Sequence, residues 1–186
     1  MTKLAQIKQE LDVIQDVRDK LIKDSREIIP ACAKAIREFQ KGKTAEAKAQ
    51  LQTIDGKIRK LEASHKEHPE LVAQMLGAAY QEYAELAILI SFYESRKLPN
   101  LNVPSEAYLT GMGDAIGELK RVAMDMLGRA EIKDAEQLYN DLEDLYAEYS
   151  QLVYPGSIVP GLKPKQDMAR KTLNNLHDLI ISSKLK

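Results

Sequence analysis

The sequence is poor in the residues that most often form disulfides and zinc sites. It has one cysteine, three histidines and no tryptophan among its 186 residues. A single cysteine, Cys32, excludes an intramolecular disulfide and any zinc site built from several thiolates. Cys32 lies in an apolar stretch and is predicted to be an inert core thiol.

Long apolar runs are also absent. No uncharged segment approaches the roughly 18 residues that cross a bilayer. The first stretch, MTKLAQIKQELDVIQD, mixes charges with aliphatics and has no apolar signal core. We therefore expect a cytoplasmic protein with no membrane partner. The net charge of −1 argues against a protein that coats nucleic acid by bulk charge, although basic and acidic stretches are segregated along the chain.

Almost every segment has the periodicity of an amphipathic helix, and almost none has that of a strand. The pattern predicts an all-α, single-domain bundle of six to seven helices over residues 1–186. Thr44 and Ser105 are expected to cap the second and fourth helices, and Gly128 to end the fourth. The predicted helices cover about residues 3–41, 44–64, 69–97, 105–127, 131–153 and 164–184.

Two pairs of acidic residues interrupt otherwise apolar helical faces. Glu82 and Glu85, in AYQEYAELAILISFYES, lie about 60° apart around the third helix. Asp114 and Glu118, in YLTGMGDAIGELKRVAMD, are one turn apart on the fourth. If the two stripes face each other, four carboxylates share one cavity, and their repulsion requires a cation. Oxygen ligands of this kind suit Mg²⁺ or Mn²⁺, and a carboxylate-held Mg²⁺ can activate water to hydrolyse a phosphodiester.

Two other interpretations of these helices fail. The glycines of GMGDAIGEL lack the preceding strand and the spacing of a phosphate-binding fingerprint. A di-iron bundle needs a Glu-x-x-His on each of two helices. None of His65, His68 and His177 follows Glu82 or Glu85 at that spacing, and we expect all three histidines on the surface.

The motifs QEYAEL and YLTGMGDAIGELKR, separated by a proline-containing linker, together resemble the translin/Trax family. RDKLIKDSREI resembles the first helix of that family. The match is closest to Trax, the nuclease-active branch, and the compact chain resembles a prokaryotic, archaeal single-gene member. This resemblance implies a seven-helix subunit that assembles, here as a homo-oligomer, into an octamer-like hollow shell. It also implies Mg²⁺-dependent cleavage of single-stranded RNA inside the shell.

The resemblance also assigns residues. It implies that one acidic quartet binds the metal and carries catalysis, formed by Glu82, Glu85, Asp114 and Glu118. It further implies that Arg121, Lys23 and Arg26 contact RNA phosphates.

Two alternatives to a nuclease stay open. The chain could be a non-catalytic translin-like shell that binds single-stranded RNA or DNA. It could also be a structural bundle whose acidic stripes form surface salt bridges, an alternative that burial of the stripes would disfavour. For any shell, we predict an intersubunit seam along the apolar side of the acidic fifth helix. That side carries Leu138, Leu142, Leu145, Tyr149 and Leu152.

Overall fold

The computed structural model describes residues 2–185, which fold into six α-helices and contain no strand. The predicted all-α class is therefore confirmed. The seventh helix implied by the family resemblance is not present within residues 2–185. No helix in this range is long and apolar enough to span a bilayer. The helices are α1 Lys3–Gln40, α2 Thr44–Ser64, α3 Pro69–Ser95, α4 Ser105–Gly128, α5 Ile132–Ser150 and α6 Leu162–Lys184.

The predicted capping and stop residues differ from the structure in three places. Thr44 and Ser105 are the first residues inside α2 and α4, and neither helix has a side-chain capping bond. Each helix starts one residue early because the carbonyls of Lys43 and Pro104 already accept helical hydrogen bonds. Gly128, which the sequence predicts to end α4 as its stop residue, is the last residue inside the helix. The left-handed backbone conformation after this helix is adopted by Ala130, with φ 61°.

Helices α3 and α4 pack against each other at the centre of the bundle. Helix α3 also contacts α1 and α2, whereas α4 also contacts α5 and α6. The two helices approach closely at Gly111, where a Cβ atom would lie 2.6 Å from the carbonyl oxygen of Gln81 and 3.0 Å from Ala84 Cβ. Since the nearest atom belongs to the backbone, only a residue without a side chain fits this crossing. Gly111 therefore sets the distance between the two acidic helices.

Helix α5 buries its apolar side within its own subunit. Leu138 and Leu142 are fully buried, Leu145 and Tyr149 are 7% and 1% exposed, and α5 packs on α4 and α6. The prediction that this side forms an intersubunit seam is wrong, because the side chains are already covered.

One histidine and the single cysteine are buried. Cys32 is fully buried, as predicted. The expectation that all histidines lie on the surface is wrong for His65, which is 8% exposed. Its Nδ1 atom lies 2.9 Å from the carbonyl oxygen of Leu61, one turn earlier in α2.

Candidate functional site

The two glutamates of α3 sit in a sparsely solvated environment. Glu85 is 9% exposed and Glu82 is half-buried. Neither carboxylate receives a hydrogen bond from a protein donor in the described part of the chain. Burial raises the pKa of Glu85 to about 8, with further contributions from the negative charges of Asp114, Glu82 and Glu118. Burial and the charge of Asp114 likewise raise the pKa of Glu82.

The two acids of α4 are held by protein donors instead. Gln81 Nε2 donates to Asp114 Oδ2 at 2.8 Å, and the Lys165 ammonium pairs with Asp114 Oδ1. Gln40 Nε2 donates to Glu118 Oε2 at 2.9 Å, and Arg121 pairs with Glu118 at 3.4 Å. Four donors, from α1, α3, α4 and α6, thus converge on two carboxylates.

The acidic residues of both helices lie within electrostatic reach of one another, since the other three all raise the pKa of Glu85. Among residues 2–185, however, no three Asp, Glu, His or Cys side chains are drawn together as ligands of one metal ion. Protein donors occupy Asp114 and Glu118, whereas Glu82 and Glu85 remain without a donor. The four carboxylates supply the oxygen chemistry that Mg²⁺ prefers. That they bind a metal stays a prediction.

Lys165 is one of two site residues that sequence reasoning missed, and Gln40 is the other. Lys165 is 51 residues from Asp114 and lies in the first turn of α6. Helix α6 approaches α4 at Gly113, where a Cβ atom would lie 2.7 Å from Lys165 Cβ. Its neighbour Gln166 is buried and donates to the carbonyl of Tyr149 at 2.7 Å. No local pattern predicts this contact, because it depends on how α6 crosses α4.

The three residues predicted to contact RNA lie on two helices, Arg121 on α4 and Lys23 and Arg26 on α1. Arg121 is exposed beside Glu118. Lys23 and Arg26 are exposed on α1. Lys23 points roughly 180° away from Cys32 around that helix, and the pKa of Cys32 is raised by burial and then by the nearby Glu82 and Glu85. The structure thus places Arg121 next to Glu118, and contact with RNA stays a prediction for all three residues.

Comparison with known proteins gives a consistent set of relatives. The sequence profile described as the Translin family matches residues 12–185. Protein MJ0175 of Methanocaldococcus jannaschii is 32% identical over 171 residues, which cover 89% of this chain and 76% of that protein.

Solved structures share the whole fold. AfC3PO in complex with duplex RNA has a TM-score of 0.91 at 26% identity, with 99% of this chain and 97% of that chain covered. The crystal structure of AfC3PO has a TM-score of 0.89 at 27% identity, with 99% and 98% covered. The apo-NeC3PO structure, at 21% identity, has a TM-score of 0.85 over 98% of each chain and shows likeness of fold alone.

Proposed function

Because the chain belongs to the translin family, we propose that it is a Mg²⁺-dependent endoribonuclease of the Trax type. The observation that carries the proposal is the acidic cluster at the α3–α4 crossing. Glu85 is buried there without a protein donor, and neighbouring negative charges help raise its pKa to about 8. A divalent cation bound there would stabilise the ionised form of Glu85, because it offsets the repulsion among the four acids.

The roles of the residues follow from their placement. The ligands of the cation would be Glu82, Glu85, Asp114 and Glu118. When bound, Mg²⁺ would lower the pKa of a water molecule positioned for attack on the phosphodiester. Mn²⁺ prefers the same ligands and is the alternative metal. Arg121, exposed next to Glu118, would hold an RNA phosphate near the cluster. Lys23 and Arg26 would hold phosphates elsewhere along the strand.

RNA is the proposed substrate, in single-stranded form. The structure of a related protein, AfC3PO, has been solved in complex with duplex RNA. This supports RNA binding by the present chain, and duplex RNA must therefore be tested beside single-stranded RNA. DNA is a further possible ligand of the same basic residues.

We place the site in a homo-oligomeric shell, with eight subunits as the expected size. Since the apolar side of α5 is internal, the subunit contacts must use other surfaces. Leu4 and Leu11 of α1 are 78% and 59% exposed, and Val153 and Ile158 after α5 are 83% and 63% exposed. Uncovered aliphatic side chains of this kind support an assembly surface. Light scattering that gives a monomer at micromolar concentration would overturn the shell.

A non-catalytic shell that binds RNA or DNA is the second candidate, and a specific observation favours it. Lys165, Gln81 and Gln40 already satisfy Asp114 and Glu118. Between residues 2 and 185 no three ligands stand ready for a metal. In this case the carboxylates would only shape the surface near the bound nucleic acid.

The deciding experiment uses end-labelled RNA, single-stranded and as a duplex of the same sequence, with Mg²⁺ or with EDTA. Glu118→Gln should abolish cleavage and leave RNA binding, measured by fluorescence anisotropy in EDTA, nearly unchanged. The substituted amide oxygen can still accept the Gln40 hydrogen bond, so the fold is retained while one charge is lost. Asp125→Asn is the matched control, because it removes the same charge from an exposed position on the same helix.

Each outcome decides between the candidates. Mg²⁺-dependent cleavage that is lost in Glu118→Gln and kept in Asp125→Asn supports the nuclease. Cleavage by Glu118→Gln at the wild-type rate would show that the quartet is not the active site. RNA binding without any metal-dependent cleavage supports the non-catalytic shell.

A further inference from the structure

Lys165 brings a fixed positive charge into the acidic cluster. Its ammonium pairs with Asp114, and both side chains are largely buried, at 30% and 28% exposure. Its charge also lowers the pKa of Glu82 and of Glu85, against the raising effect of burial and of the other acids. The lysine thus already performs, in part, the neutralisation that a metal ion would perform.

The position of this lysine is set by the packing of the helices. A Cβ on Gly113 would lie 2.7 Å from Lys165 Cβ and 3.1 Å from Tyr149 Oη. The buried Gln166 donates to the carbonyls of Tyr149 and Leu152, at 2.7 and 2.9 Å. The start of α6 is therefore anchored, and Lys165 is directed at α4.

Another lysine in the same turn shows the contrast. Lys163 is 73% exposed and pairs with Asp167 of its own helix at 2.7 Å. Such an exposed pair within one helix contributes little to stability. Lys163 therefore provides the same charge on the same helix without contact to the cluster.

We propose that Lys165 is the built-in counter-ion of the carboxylate cluster, and that it must leave Asp114 before a divalent cation can bind there. The inference rests on the proposed function, because it concerns the same four carboxylates. The two cations compete for Asp114 Oδ1, since an oxygen that pairs with an ammonium has fewer lone pairs left for a metal. Lys165 would stabilise the metal-free protein by offsetting the charge of the acids. It would also weaken the affinity of the carboxylate cluster for Mg²⁺.

The experiment measures Mg²⁺ binding by isothermal titration calorimetry with MgCl₂ alone, in the absence of RNA. Lys165→Gln should bind Mg²⁺ roughly tenfold more tightly than the wild type, the effect of removing a competitor worth about 1.4 kcal/mol. In EDTA the same variant should melt at a lower temperature, because the acids lose their counter-ion. Lys163→Gln is the matched control and should change neither the dissociation constant nor the melting temperature appreciably.

Lys165→Arg separates direct competition from the loss of charge. Arginine keeps the charge and can bind Asp114 in a bidentate manner, so Mg²⁺ affinity should equal that of the wild type or be weaker. Its metal-free melting temperature should return to the wild-type value. This variant also keeps the test informative if Lys165→Gln does not fold in EDTA.

The outcomes separate this inference from the proposed nuclease. Suppose that the wild type cleaves RNA and that Lys165→Gln has the same Mg²⁺ dissociation constant as the wild type. This result would overturn the role of Lys165 and leave the proposed nuclease standing. Equal tightening in Lys165→Gln and Lys163→Gln would also overturn it, because the effect would then be long-range charge. Tighter Mg²⁺ binding by Lys165→Gln than by the wild type and Lys163→Gln, with no RNA cleavage by the wild type, would support the counter-ion and reject the nuclease. Absence of Mg²⁺ binding in every variant would reject both.

Discussion

Replacement of Gly111 by alanine should destabilise the protein, although alanine is the better helix former. Every Gly→Ala change inside a helix gains about 1 kcal/mol in propensity. At Gly111 the new methyl would lie 2.6 Å from the carbonyl oxygen of Gln81 and 3.0 Å from the Glu85 nitrogen. These are backbone atoms, so α3 and α4 must separate. Overpacking of this kind costs about 1–3 kcal/mol.

Gly117→Ala is the control that isolates the steric effect. It lies on the same helix, and a Cβ there meets nothing within 4 Å. The gain in propensity is common to both variants, so the difference between them gives the cost of separating the helices. We expect Gly117→Ala to be more stable than the wild type and Gly111→Ala to be about 1–3 kcal/mol less stable than Gly117→Ala.

Urea unfolding followed by circular dichroism, at one protein concentration because assembly affects stability, measures this difference. For a chain of this size, the corresponding difference in melting temperature is about 2–4 °C for each kcal/mol. Gly111→Ala should also weaken Mg²⁺ binding, because it moves Glu82 and Glu85 away from Asp114. Equal stability of the two variants would refute the claim that Gly111 sets the crossing distance.

Three further results are expected. In EDTA the free energy of unfolding should fall as pH rises from about 4.5 to about 8, because native Glu85 keeps its proton to a higher pH than the unfolded chain does. The slope from this group approaches about 1.4 kcal/mol per pH unit, and Glu85→Gln should remove it; an identical slope in both proteins would contradict the burial of this carboxyl. Cys32, whose pKa burial raises to about 12, should react with a thiol reagent such as DTNB only after unfolding, and fast labelling of the native protein would contradict its placement. Arg121→Ala should weaken RNA binding and reduce its salt dependence by about one phosphate contact, and an unchanged salt slope would remove Arg121 from the RNA interface.

Much of the fold and one half of the site could be predicted from local patterns. Apolar residues recur at helical spacing in each segment, so the pattern predicts the six helices to within a few residues at their ends. Both acidic pairs, Glu82 with Glu85 and Asp114 with Glu118, could be predicted because carboxylates interrupt otherwise apolar helical faces. Both signals depend on neighbours within one or two turns, and sequence reports these directly.

The rest depends on contacts between helices far apart in sequence. Gln40 reaches Glu118 across 78 residues, and Lys165 reaches Asp114 across 51. Nothing near either donor marks it as a site residue. The apolar side of α5 was misjudged for a related reason: an amphipathic face shows that a helix packs against something, but not whether the partner lies in the same subunit.

The pattern of partners around the four acids bears on the alternative that they are only structural salt bridges. Under that alternative each carboxylate should have a protein partner, because an unpaired buried charge is costly. Asp114 and Glu118 meet this requirement. Glu85 does not; with a pKa of about 8 its carboxyl is mostly protonated at neutral pH in the metal-free protein. Its oxygens also keep some contact with solvent, because no fully buried side-chain oxygen among the described residues lacks a hydrogen-bond partner. Glu85, without a protein donor and beside three other acids, is therefore the carboxyl whose protonation a bound cation would change most, and the proposed metal site predicts that Mg²⁺ lowers its pKa.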